Sequence, residues 1–379
     1  MIRISHTDFP AVALTHPGMT GKNNEDRFAV SAYQLKPGEP TPVLLVVLAD
    51  GIGGHRAGEV AAGVAVDQVS RQVAASEGNF LPPQVLHQAF IQASQQIFAL
   101  AQSEEGRRGM GSTCTTAWII GDRLYTATVG DSRLYLMREG AIRQLSTDHT
   151  WIQEAILHGI VKPEEARGHP NAHVIRRYLG SPQPPEVDFR LRLTGLENDA
   201  QAEANQGMRL QIGDRILLCS DGLTDLVNDD EILAAYQNQP MDAATNYLIQ
   251  LACQRGGHDN ITIVVVEVPP QVVARKPARR RWWLPLLVVL LVAAVIVAGV
   301  FAWTQRSTPG DGTPTPTPAL VVTVTQAGGE VLPTPQPAQP TLSPSPRPTA
   351  THTVPPATPG IPQQGGATLT PWPTNTPKP

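Results

Sequence analysis

Residues 43–54 read VLLVVLADGIGG: an unbroken apolar run from Val43 to Ala49, then Asp50 and a turn holding Gly51, Gly53 and Gly54. So short a run without alternation reads as a strand buried on both faces. A carboxylate at the end of such a strand is costly unless it is paired or bound to a metal. The arrangement recurs where Ile216–Ser220 runs into Asp221-Gly222-Leu223, and His258-Asp259-Asn260 precedes the apolar run Ile261–Val266. Asn24-Glu25-Asp26 and Gly130-Asp131-Ser132-Arg133 fit the same description. Singly, each Asp-Gly or Asp-Asn is a turn dipeptide. Together they predict converging carboxylates without enough basic partners, a repulsion that a hard divalent cation relieves. An all-oxygen ligand set suits magnesium or manganese, whereas zinc asks for His and Cys. Glycines at 51, 53 and 54 let the backbone approach an ion and offer it a carbonyl.

Outward from this stretch, the first 268 residues alternate short β-rich runs with two helical patterns. Leu86, Ala89, Phe90, Ala93, Ile97 and Leu100 recur at helical spacing, and Ala57–Ala75 is a second helix candidate. Leu124–Leu145 reads as a strand meander turning at Gly140. Strands cluster rather than alternate strictly with helices, which predicts an α+β fold of antiparallel sheets covered by helices.

Composition divides the rest of the chain. Of 36 prolines, 19 lie after residue 303, so material for a core is confined to 1–268. A net charge of -4 and 5% aromatics give no reason to expect a nucleic-acid partner. Cys114, Cys219 and Cys253 lack CxxC spacing and read as reduced, buried cysteines of a cytosolic domain. The first residues, MIRISHTDFPAVAL, do not read as a signal peptide. Residues 269–281 form a basic juxtamembrane linker, and 282–303, WWLPLLVVLLVAAVIVAGVFAW, carry no charge. About 20 such residues span a ~30 Å hydrocarbon core as a helix. Terminal tryptophans and the upstream Lys/Arg excess predict one transmembrane helix with the N-terminal domain cytoplasmic. Residues 304–379, rich in Pro and Thr, predict a disordered extracytoplasmic tail.

The ordered set NNED (23–26), DGIGGHRAGEVAA (50–62), MGSTCT (110–115), VGDSRLYL (129–136), TDHTWIQEAILHGIV (147–161), LLCSDGLTD (217–225) and GGHDNITIVVV (256–266) resembles the PPM family, the type 2C metal-dependent serine/threonine protein phosphatases, in its bacterial form. The resemblance covers about residues 8–268 and implies an α/β/β/α sandwich of two antiparallel sheets flanked by helices. It implies hydrolysis of phosphoserine and phosphothreonine in proteins by a metal-activated water, opposing a Ser/Thr protein kinase. Two Mn2+ or Mg2+ ions are expected, with a weaker third. By the same resemblance Asp50 bridges two ions and Gly51 adds a carbonyl. Glu25 serves the second ion, Asp221 and Asp259 the first, and Asp131 with Asp221 the third; Asp26 and Asn260 support them. Thr147 to about Gly180 matches a flap beside the site.

One position departs from the pattern. The family usually carries a phosphate-gripping arginine five residues before the Asp of NNED, where this chain has Gly21 followed by Lys22. A lysine holds phosphate as a point charge, not as a fork. Lys22, or Arg176 and Arg177 of the flap, are the candidates to replace it. His55 and His258 read as structural or supporting residues, and Leu196–Gln206 as a surface loop.

Overall fold

A computed structural model describes residues 1–53, 57–76, 81–270, 293–299 and 301. Two sheets form the centre of the first 270 residues. One has six strands: β1 (Ile2–Ile4), β3 (Arg27–Gln34), β4 (Pro42–Ala49), β7 (Cys114–Ile120), β8 (Arg123–Val129) and β11 (Met208–Arg209), adjacent in that order. The other has five, in the order β10 (Ala141–Gln144), β9 (Arg133–Arg138), β12 (Arg215–Cys219), β13 (Ile261–Glu267) and β2 (Ala11–His16). Every neighbouring pair is antiparallel. A two-stranded ribbon joins β5 (Gly51–Ile52) to β6 (Gly111–Ser112).

The unbroken apolar runs have a direct cause. In β4, Val43, Leu45 and Val47 pack with α1 (Gly58–Ala75) and α2 (Pro82–Ser103), while Leu44, Val46 and Leu48 face the second sheet. In β12 and β13, Ile216, Leu218, Val264 and Val266 meet β4 between the sheets. Leu217, Ile263 and Val265 turn instead to α7 (Asp229–Asn238) and α8 (Met241–Gln254). Strands covered on both faces have no solvent side, so polar alternation is absent. The α/β/β/α sandwich expected from the resemblance is the fold observed.

Three expectations need correction. The segment 124–145 is not one meander: β8 lies in the six-stranded sheet and β9 in the five-stranded one, so the chain changes sheet at Gly130–Ser132. Leu196–Gln206 is not merely a loop, because α5 (Asp199–Ala204) forms there behind an Asn198/Gln201 capping box. Of the three free cysteines, Cys114 and Cys219 are buried and Cys253 is half-buried.

The proposed span 282–303 lies mostly outside the described residues, as do 304–379; within it, 293–299 are helical. Among the described residues no helix is long and apolar enough to cross a membrane.

Candidate metal centre

The two central apolar strands end at the same place. Asp50 follows β4, and its backbone is clamped: its N–H donates to Thr113 Oγ1 at 2.9 Å, while its carbonyl accepts Thr113 N–H at 2.8 Å and Ser112 Oγ–H at 2.9 Å. Gly51 then passes so close to α1 that a Cβ there would lie 2.3 Å from the Gly58 carbonyl. No other residue fits this approach. A Cβ on Gly58 would in turn meet the Glu25 carboxylate at 2.6 Å. Helix α1 has no side-chain cap of its own, and Glu25 sits over its first turn, where a negative charge is favoured.

Asp221 follows β12 at the start of α6 (Asp221–Thr224), and Asp259 precedes β13. Cys219 of β12 pairs with Ile263 of β13, which brings these two acids alongside each other. Asp26 ties this edge to the first sheet: its Oδ2 accepts Ser220 Oγ–H at 2.8 Å and Thr262 Oγ1–H at 2.6 Å. Asn260 adds a second tie, accepting Glu25 N–H and donating to the carbonyls of Pro17 and Asn23. Asp131 arrives from the sheet-changing turn, beside the Thr113–Ser132 hydroxyl pair.

The electrostatics are those of crowded like charges. Asp50 is pushed well above the usual carboxylate range by burial first, then by Asp26, Asp221, Asp131 and Asp259. Asp221 is raised likewise by burial, then by Asp131, Asp225, Asp259 and Asp26. Burial lifts Asp26 to about 6 and, with Asp148, lifts Asp131 to about 7. Glu25 is raised by burial, then by Glu59 and Asp259, with the Gly58 N–H and Lys22 opposing. Asp221 Oδ1 and Asp26 Oδ1 are buried without a hydrogen-bond partner. Orphaned anionic oxygens facing other carboxylates are what a hard cation would satisfy, so the donor set fits magnesium or manganese.

The structure therefore brings Glu25, Asp26, Asp50, Asp131, Asp221, Asp259 and Asn260 into one site. The flap, Thr147–Gly180, carries α3 (Trp151–Leu157) and α4 (Pro163–Ala166) and is anchored by bridges between Thr150 and Ile175 and between Ser112 and Leu179. It forms one wall of a cleft of about 660 Å³ that reaches Asp131, Asp221 and Asp259. Arg176 and Arg177 do not enter the site: they pair with Glu154 and Glu186 at 3.2 and 3.1 Å. Lys22 stays exposed, near enough for its charge to act on Glu25. His55 lies outside the described residues, and His258 lines the cleft.

Sequence reasoning missed two contributors. Arg133 forks onto Asp148 at 2.7–3.1 Å, which holds the base of the flap to β9. Asp225 meets the flap through His173. The acid four residues after Asp221 on a helical turn was the available signal for Asp225; nothing local pointed to the other pair.

A profile described as Protein phosphatase 2C matches residues 18–155. A putative type 2C phosphatase of Streptococcus pyogenes is 32% identical over 255 residues, covering 66% of this chain and 94% of the relative. The chain belongs to the protein phosphatase 2C family. The serine/threonine protein phosphatase PstP of Mycobacterium tuberculosis is 36% identical over 252 residues, 66% of this chain. Here the match spans only 43% of the relative's length. The PstP catalytic domain solved with two manganese ions matches with a TM-score of 0.56 and 33% identity, covering 69% of this chain and 98% of that one. The profile's span of residues 18–155 holds Glu25, Asp26, Asp50 and Asp131 of the acidic site.

Proposed function

We propose that residues 1–268 form a serine/threonine protein phosphatase domain that hydrolyses phosphoserine and phosphothreonine in proteins at a binuclear Mn2+ or Mg2+ centre. The observation that carries this reading is the meeting of Asp26, Asp50, Asp131, Asp221 and Asp259 from five separate segments, with Glu25 beside Asp259 and the Asp221 Oδ1 left unpartnered. Its relatives are named as phosphatases of this kind, one of them solved with two manganese ions.

Divalent cations, when bound, supply a deprotonated water and screen the charge of the phosphate. The protein's part is to hold and orient. Asp50, opposed by four other carboxylates at once, would hold the ions together with the Gly51 carbonyl. By the family resemblance, Glu25 would hold one ion, Asp221 and Asp259 the other, and Asp131 with Asp221 a weaker third. Asp26 and Asn260 fix the NNED loop from behind. Lys22 at the rim attracts the phosphate in place of the family's arginine. No protein nucleophile is required.

The wider assignments rest on the sequence. The uncharged stretch 282–303 between a basic run and a Pro/Thr-rich tail supports a single-pass protein with 1–268 cytoplasmic and 304–379 extracytoplasmic. Phosphoproteins made by a bacterial Ser/Thr kinase are then the substrates, at or near the membrane. Turnover of a phosphothreonine peptide by the full-length chain with Mn2+, with Mg2+ and with chelator tests the enzyme. Equal rates from the chain and its Asp221→Asn variant would overturn the metal mechanism.

A further inference from the structure

Two consecutive residues at the stem of the flap hold the turn that carries Asp131, one at each end. Asp148 receives the Arg133 fork after Asp131, and His149 grips Gly130 before it. The Gly130 peptide is held twice: its N–H donates to His149 Nδ1 at 3.0 Å, and its carbonyl accepts the His149 N–H at 3.0 Å. The β7–β8 ladder ends one residue earlier, where Val129 faces Cys114, so the imidazole rather than the sheet satisfies this buried N–H. Because Nδ1 accepts, the ring proton sits on Nε2, which donates to Asp188 Oδ2 at 3.0 Å. Asp188 is itself fixed. Arg190 forks onto its carboxylate at 2.5–2.9 Å, and its backbone exchanges two 3.0 Å bonds with Thr128, two residues before Gly130. The returning arm of the flap meets the same residue, with Arg176 N–H donating to the His149 carbonyl at 2.7 Å. The side chains of His149 and Asp188 are only 3% and 2% exposed. An apolar side chain would fill that space without the cost of burying polar atoms, so packing alone does not account for a histidine.

We propose that His149 is a positioning residue for the phosphatase reaction: its Nδ1 sets the Gly130 peptide, and with it the Asp131 carboxylate that lines the cleft. Asp188 and Arg190 hold the ring to the one tautomer that can do this. The inference rests on the reading of the acidic cluster as a metal centre, because Asp131 serves the reaction as a ligand there. Aiming Asp131 and closing the flap stem become one arrangement, since both arms of the flap join at His149. Two amides divide the imidazole between them. Asparagine carries an acceptor oxygen at the δ position, which keeps the Gly130 bond and gives up the Asp188 bond. Glutamine carries a donor nitrogen at the ε position, which keeps the Asp188 bond and gives up the Gly130 bond.

The test uses the full-length chain, with amide hydrogen exchange read by mass spectrometry in chelator and MnCl2 titrated by calorimetry. In the native chain the segment holding Gly130 should exchange slowly. His149→Gln should speed that exchange and weaken one Mn2+ site by about tenfold, the lower end of what groups behind a metal ligand typically contribute. His149→Asn should keep both close to native, even where its melting temperature falls as far as that of His149→Gln. A residue that only fills and satisfies the core would give the reverse order or none. Native Mn2+ affinity in His149→Gln, or equal losses in the two variants, would therefore overturn the inference while leaving the metal centre standing. Fast exchange at Gly130 in the native chain would overturn it even if neither variant folds. If the native chain takes up no Mn2+ at all, the metal centre and the inference fall together.

Discussion

Asn260 Oδ1 accepts the backbone N–H of Glu25 at 2.7 Å, joining residues 235 positions apart in the chain. The same side chain donates to the carbonyls of Pro17 and Asn23 at 3.0 and 3.2 Å, so one buried amide holds the whole NNED loop against the start of β13. Each such bond contributes about 1 kcal/mol net, so Asn260→Ala should cost about 2–3 kcal/mol in urea unfolding. Turnover should fall further than stability, because Glu25 loses the group that sets its backbone.

Removing a charge from the acidic site should separate stability from function. Asp50 is buried among Asp26, Asp221, Asp131 and Asp259, all of which oppose its ionisation. In chelator, Asp50→Asn should melt at a higher temperature than the native chain, by about 2–4 °C for each kcal/mol of repulsion removed. Activity should vanish, and added Mn2+ should stabilise the variant less than the native protein. A lower melting temperature in chelator would mean that Asp50 is not repelled in the fold.

The acid dependence of the metal-free chain follows from two carboxyls. Asp26 is lifted to about 6 and Asp131 to about 7 from an ordinary value of 3.8. Between these values the folded chain holds protons that the unfolded chain has released. The stability they contribute is complete below the ordinary value and is lost as pH rises through about 6 and about 7. Thermal melts in chelator should therefore show higher stability at pH 5 than at pH 8. Asp188, which burial opposes but His149 and Arg190 pull well down, acts with the opposite sign, and only in stronger acid. Mn2+ competes with these protons, so its affinity should rise across the same window.

Gln206 tests the segment that reads as a loop. Its amide accepts Thr126 N–H at 2.9 Å and donates to the Thr126 carbonyl and hydroxyl and to the Phe189 carbonyl. Gln206→Ala should cost about 2 kcal/mol while leaving kcat and metal affinity unchanged, because none of these partners lines the cleft.

Gly21 and Lys22 decide how phosphate is gripped. Lys22→Ala should raise KM for a phosphopeptide by about tenfold, the equivalent of ~1.4 kcal/mol, with a smaller effect on kcat. Gly21 has φ +72° and nothing within 4 Å of a built Cβ. Gly21→Arg is thus sterically open, with a penalty of about 1–2 kcal/mol for an L-residue in the left-handed region. Kinetics of both variants against inorganic-phosphate inhibition would show whether an arginine can act from this backbone.

Much of the site was legible because its signals are local. An apolar run of strand length, an acid at its end and a glycine after it can be read within a dozen residues, and Asp50 and Asp221 both carry that pattern. Their roles were not legible in this way; they came from the resemblance of the whole ordered set. The Arg133–Asp148 fork escaped notice because it joins a strand to a flap 15 residues on, across a turn whose direction no periodicity records. Arg176 and Arg177 were candidates for phosphate because an unpaired arginine and one held by a glutamate look alike in sequence.

The sequence by itself determined that Val43–Ala49, Ile216–Ser220 and Ile261–Val266 are buried strands, that 57–75 and the 86–100 pattern are helical, where the acids sit at strand ends, and which family the chain resembles. These follow from hydrophobic period, turn chemistry and motif order, all present in short windows. Only the tertiary structure decided that β8 and β9 belong to different sheets, that Glu25 caps α1, that Gln206 is bound into the first sheet, and that His173 meets Asp225. Each of these is a contact between distant residues whose energy is absent until the chain closes, so no local pattern could encode it.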